Sequence, residues 1–153
     1  MAHRRRYTVS TLADVALTAG VAKTVIGLRA PAGRQVVLSS FVVSFDGTNA
    51  ASEGVVVQLL RGDASVPGTS TAATPRQETG PAVDAATLAG KDYTAEPGVL
   101  LVIREYLVNP TGFLDREFPL DREPDSALGG HLYLRCASPG PVNVRASLTF
   151  EEH

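Results

Sequence analysis

At 153 residues, with 44% apolar and 20% charged residues, the chain has the size and composition of one globular domain, which excludes a disordered segment or a coiled coil. A net charge of −2 supplies no overall field toward nucleic acid or an acidic membrane, and no stretch approaches the ~20 apolar residues of a membrane span. The single cysteine, Cys136, rules out an intrachain disulfide and fits a reducing compartment.

The chain begins with a basic cluster, Arg4, Arg5 and Arg6. The apolar run that a secretory signal requires is interrupted by Asp14 and several Thr, so folding in the cytoplasm of the producing cell is expected. The arginines read as a solvated tail, as phosphate contacts, or as a contact to an acidic protein surface, since the guanidinium fork grips carboxylates bidentately. Three arginines with no interleaved aromatic residue are few for nucleic acid, and none is expected as a partner. Residues 1–22 are expected to hold this arm and a first short strand over Tyr7 to Leu12.

A short strand is expected over Lys23 to Arg29. Arg34 to Phe45 places Val37, Phe41, Val43 and Phe45 on one face and ends at the turn signal Asp46-Gly47. Asp46, Asn49 and Glu53 supply oxygens of the kind calcium takes, but the sequence there reads as an Asp-Gly turn followed by a solvated acid. Gly54 to Arg61 is apolar on both faces, as in the interior of a sandwich. Residues 63–98 are rich in Gly, Ser, Thr, Ala and Pro with few large apolar residues, and read as one long irregular loop. Either it is a surface loop or an arm that orders against a neighbouring subunit. Val83 to Ala89 offers one or two helical turns at most.

Val99 to Val108 is a long strand rich in β-branched residues, and Leu114 to Leu120 is an edge strand, marked by Phe118-Pro119. The run from Leu114 to Asp125 mixes signs, with Asp115, Arg116, Glu117, Asp121, Arg122 and Glu123, and reads as a solvated surface or a charged rim facing a symmetry mate. His131 to Cys136 alternates Leu132, Leu134 and Cys136 against His131, Tyr133 and Arg135, with His131 expected to face solvent. Val142 to Phe150 alternates at every residue, with Val142, Val144, Ala146, Leu148 and Phe150 on one side. Period-two alternation is what a half-buried strand requires. About eight strands punctuated by Gly, Pro, Asp and Asn predict an all-β, single-domain antiparallel β-sandwich over residues 23–152.

Chemistry-bearing constellations are sparse. Two of the three histidines, His3 and His153, are near the termini, so a cupin-type metal site has no His cluster to draw on. Cys136 on an apolar face behaves as a small hydrophobe, and no Gly-x-Ser-x-Gly elbow or phosphate-cradling loop occurs. No catalytic residue, cofactor or metal is expected. The absence of Trp argues against a sugar-stacking module.

Several phrases carry a resemblance. Lys23-Thr24-Val25-Ile26-Gly27-Leu28-Arg29-Ala30-Pro31 opens into the strand ending Val43-Ser44-Phe45-Asp46-Gly47-Thr48; Gly68-Thr69-Ser70-Thr71 and Tyr93-Thr94-Ala95-Glu96-Pro97 follow, and the chain closes with Val142 to Glu152. The layout resembles the small β-sandwich virion proteins of tailed bacteriophages that decorate or cement the head. The resemblance implies a jelly-roll-like fold, a homotrimer, and a non-enzymatic role on the capsid surface with the major capsid protein as partner. Arg4, Arg5, Arg6, Arg76, Asp115, Arg116, Glu117 and Arg122 are the expected interface residues. The alternatives are a carbohydrate- or receptor-binding module of a tail or head fibre, and a cupin-like enzyme.

Overall fold

The computed structural model describes residues 5–46, 53–80 and 82–153. Among the described residues twelve strands form two six-stranded antiparallel sheets packed face to face. The strands are β1 Arg6–Ser10, β2 Val15–Leu17, β3 Lys23–Arg29, β4 Val36–Phe45, β5 Val55–Gly62, β6 Thr69–Ala73, β7 Arg76–Thr79, β8 Leu88–Ala95, β9 Leu101–Val108, β10 Phe113–Glu117, β11 His131–Ala137 and β12 Val142–Glu152. The first sheet runs β10-β4-β12-β1-β7, with β2 also paired to β12; the second runs β6-β8-β3-β11-β5-β9.

Eight of these strands form four nested antiparallel pairs. β2–β12 and β4–β10 lie in the first sheet, β3–β11 and β5–β9 in the second. A long hairpin whose successive pairs alternate between two sheets is the jelly roll. The expected β-sandwich is therefore present, with four more strands than anticipated.

Three of the four additional strands are β6, β7 and β8, within residues 63–98. This segment is not one irregular loop: it is an insertion between β5 and β9 that adds β8 and β6 beyond β3, and β7 beyond β1. Its strands escaped the sequence pattern because their inward positions are small. Ala89 is buried in the core and Ala73 packs against it, while Gly90 opposes Gly27. Ladder hydrogen bonds, rather than large side chains, hold such strands. Val83 to Ala89 forms no helix and leads directly into β8.

The core lies between the sheets and includes the expected faces of β12 and β11, with Phe41, Val43 and Phe45 of β4. Val37 departs from expectation. In β4, Val36 and Leu38 are buried and Val37 is not, although Phe41, Val43 and Phe45 are. Leu38 pairs with Phe150 and Ser40 with Thr149, so the register slips at Ser39. One extra residue in a strand moves every later side chain to the opposite face, so both halves of β4 point into the core. β5 keeps its alternation against β11: Val55, Val57 and Leu59 face the core, while Leu60 points to the opposite face and joins an outer cluster with Tyr93 and Tyr133; the slip in the β5–β9 ladder falls on β9, at Ile103.

Candidate functional surfaces

Consecutive strands β9 and β10 end the two sheets on the same side of the sandwich. Tyr106 of β9 packs on Phe41 of β4, with ring centroids 5.9 Å apart, and the Arg116 guanidinium of β10 sits 6.0 Å over the Tyr106 ring. Among the described residues β9 pairs with β5 alone, and β10 with β4 alone. Edge strands carry unpaired N–H and C=O groups, which folded proteins usually guard with charge. Here the edges carry Leu101 (62% exposed), Leu107 (74%) and Phe113 (71%), with Val102 and Leu120 also exposed. Leu107 continues into a shallow apolar hollow of about 620 Å³ with Gly54, Val56, Ala137 and Pro139. On β9 the exposed charges of Arg104 and Glu105 separate Leu101 and Val102 from Leu107, so the apolar residues alternate with charge along the edge, a mixture that suits a contact surface.

The structure scatters the expected interface residues. Asp115, Arg116 and Glu117 lie on β10, along the apolar edge, and Arg122 lies in the turn after it, where its N–H donates to the Pro119 carbonyl. Arg76 lies on β7, at the opposite end of the first sheet. Arg6 is a residue of β1, 3.6 Å from Glu151, and not part of a free tail; Arg5 is exposed just before it. Arg4 lies outside the described residues, as does Asn49 of the Asp46–Glu53 region. Among the described residues no group of three His, Cys, Asp or Glu converges to hold a metal. The mixed charges of β10 were legible in the sequence, but the apolar edge beside them was not: Leu101, Val102 and Leu107 belong to an expected strand, and only the pairing order leaves β9 at the rim.

A polar cluster covers the outer face of the second sheet. His131 does not face solvent, as the alternation suggested. It is 4% exposed, and its Nδ1 lies 2.7 Å from the Tyr133 hydroxyl. The Pro67 carbonyl accepts from Arg29 Nη2 at 3.2 Å and from Tyr133 Oη at 3.4 Å. Tyr93 meets Tyr133 edge-on, with centroids 5.8 Å apart. Gly27 and Gly62 make room for the Tyr133 ring, since a Cβ at either would lie within 3 Å of it. The 63–98 insertion supplies the cover through Pro67 and Tyr93, converting a solvent face into a second, smaller interior. Burial pushes the phenols of Tyr93 and Tyr133 up, and pushes the Cys136 thiol up to about 12, leaving that cysteine protonated and inert.

Burial also holds His131 below its ordinary value of 6.5; the Arg29 charge lowers it further, and Asp63 opposes both. A histidine that resists protonation when folded takes up protons first in the unfolded chain. Stability therefore falls as pH drops through 6.5 toward the lower folded value, and this contribution is constant above that window. Thermal melts between pH 8 and pH 5 are expected to show a steeper loss for the wild type than for His131→Gln; parallel curves would contradict the assignment.

No family model, curated protein or solved structure matches the chain. Among the described residues, no helix is long and apolar enough to cross a membrane.

Proposed function

We propose that the protein is a non-enzymatic structural component of a bacteriophage virion, which self-associates as a trimer and decorates the outer surface of the capsid. The observation that carries this reading is the side formed by β9 and β10, where two unpaired sheet edges present exposed Leu101, Leu107 and Phe113. Such a side favours association twice over. The apolar side chains gain by leaving water, and the free backbone groups accept a neighbouring strand or loop. Arg104 and Glu105 on β9, with Asp115, Arg116 and Glu117 on β10, set both signs of charge among these apolar residues, which suits orientation of a partner rather than bulk attraction. A partner that repeats across a lattice multiplies modest contacts into firm attachment. The nested jelly roll and the layout of the sequence phrases agree with the resemblance to head-decoration proteins, from which the trimer and the capsid partner come.

The test combines light scattering with co-sedimentation on undecorated capsids. The wild-type protein is expected to be trimeric and to pellet with the shells. The double variant Leu107→Glu, Phe113→Glu replaces two exposed side chains, so its unfolding free energy should change by no more than about 0.5 kcal/mol at each site, while association is lost. A wild-type protein that stays in the supernatant, or a double variant that pellets equally well, would overturn the proposal.

A further inference from the structure

Arg29 is a half-buried cation with no carboxylate partner among the described residues. Its Nη2 donates to the Pro67 carbonyl, its Nε is buried without a hydrogen-bond partner, and among the described residues no acid pairs with it. Tyr93 lies beside it, but its phenol is held protonated and offers no countercharge. A guanidinium nitrogen buried without a partner loses its hydrogen bonds to water, so Arg29 has an unmet donor beside the cleft.

Arg29 also lines a cleft of about 500 Å³ between β6, the Thr74-Pro75 turn and the segment leading into β8. That volume lies within the range of small-molecule sites. Arg29 is the one charged residue among those lining it. Ser70 and Thr74 supply hydroxyls, and Ala72, Ala85 and Leu88 supply apolar wall. With no acid on the walls, a single positive charge faces a compact, partly apolar space.

We infer that this cleft binds a small amphipathic monocarboxylate, its carboxylate on the Arg29 guanidinium and its short apolar body against the alanine-lined wall. One guanidinium balances one negative charge and presents parallel N–H donors to a planar carboxylate. A phosphate dianion would lack a second cation here, and an amine would meet repulsion. This site lies by β6 and β8, whereas the apolar edges proposed for assembly are β9, at the opposite end of the second sheet, and β10, at the end of the first, so the two proposals stand or fall separately.

The test titrates the full-length protein with sodium hexanoate, following backbone amide shifts of residues 69–75 and 85–89 by NMR, with hexylamine, hexanol and inorganic phosphate as comparison probes. Saturable shifts with hexanoate alone are expected. Arg29→Gln should weaken binding roughly tenfold or more, the loss of a charge-assisted hydrogen bond. Leu88→Glu is the second variant. Leu88 pairs directly with Arg29 across β8 and β3 and is 68% exposed, so the substitution leaves the core untouched and supplies Arg29 with an internal carboxylate. It should abolish hexanoate binding while leaving the melting temperature unchanged or raised. Equal shifts with hexanol or hexylamine, preferential binding of phosphate, or unaltered hexanoate binding by Leu88→Glu would each overturn the inference.

Discussion

Replacing Phe150 by alanine is expected to remove about 3–5 kcal/mol of stability, the range for deleting a buried aromatic side chain. Phe150 is fully buried on β12, the strand that joins the two halves of the first sheet. Its ring stacks on Tyr7 of β1, centroids 5.6 Å apart, and its backbone faces Leu38 of β4, immediately beside the slip at Ser39. Three strands therefore converge on one side chain. The bulged strand has little freedom to collapse into the space left behind, which places the expected loss toward the upper part of the range. For a domain of this size the melting temperature should fall on the order of 10 °C. Chemical denaturation of the variant checks this; a loss below about 1 kcal/mol would mean that β1 and β4 close the cavity without cost.

The second large effect is expected at Gly27. A Cβ there would lie 2.5 Å from Tyr133 Cδ1 and 2.5 Å from the Tyr93 hydroxyl. Neither ring has room to yield: Tyr133 is fully buried against His131 and beneath the Pro67 loop, and Tyr93 is wedged edge-on against it. Gly27→Ala should cost roughly 1–3 kcal/mol by overpacking, and Gly27→Val more. The stability change carries a second signature. Displacing Tyr133 breaks its bond to His131 and opens that ring to water, so the loss of stability below pH 6.5 should flatten relative to the wild type. If Gly27→Ala were as stable as the parent, with the same pH dependence, the account of the outer cluster would be wrong.

This cluster shows how a residue-level reading goes astray while the fold-level reading holds. The alternation of β11 located its strand and its inward face correctly, because Leu132, Leu134 and Cys136 follow the pleat. It assigned His131 to water on the same logic. That logic fails when a distant segment covers the outer face, and the covering segment here is low in large apolar residues and carries no periodic signal of its own. The exposed edges escaped for the complementary reason. Leu101, Leu107 and Phe113 are apolar in strand-like sequence, and such residues are ordinarily interior; only the pairing order leaves β9 and β10 without outer neighbours.

The sequence by itself determined the all-β class, most of the eight jelly-roll strands and the inward face of β12, because side-chain alternation is a local property that the pleat reads at every second residue. The tertiary structure alone decided which strands lie at the rim, where β4 changes phase, how residues 63–98 extend both sheets, and that Arg29 lines a cleft without an acidic partner among the described residues. These depend on contacts between residues far apart in the chain, such as Leu38 with Phe150 and Arg29 with Pro67, and no local pattern records which distant partner a strand will find.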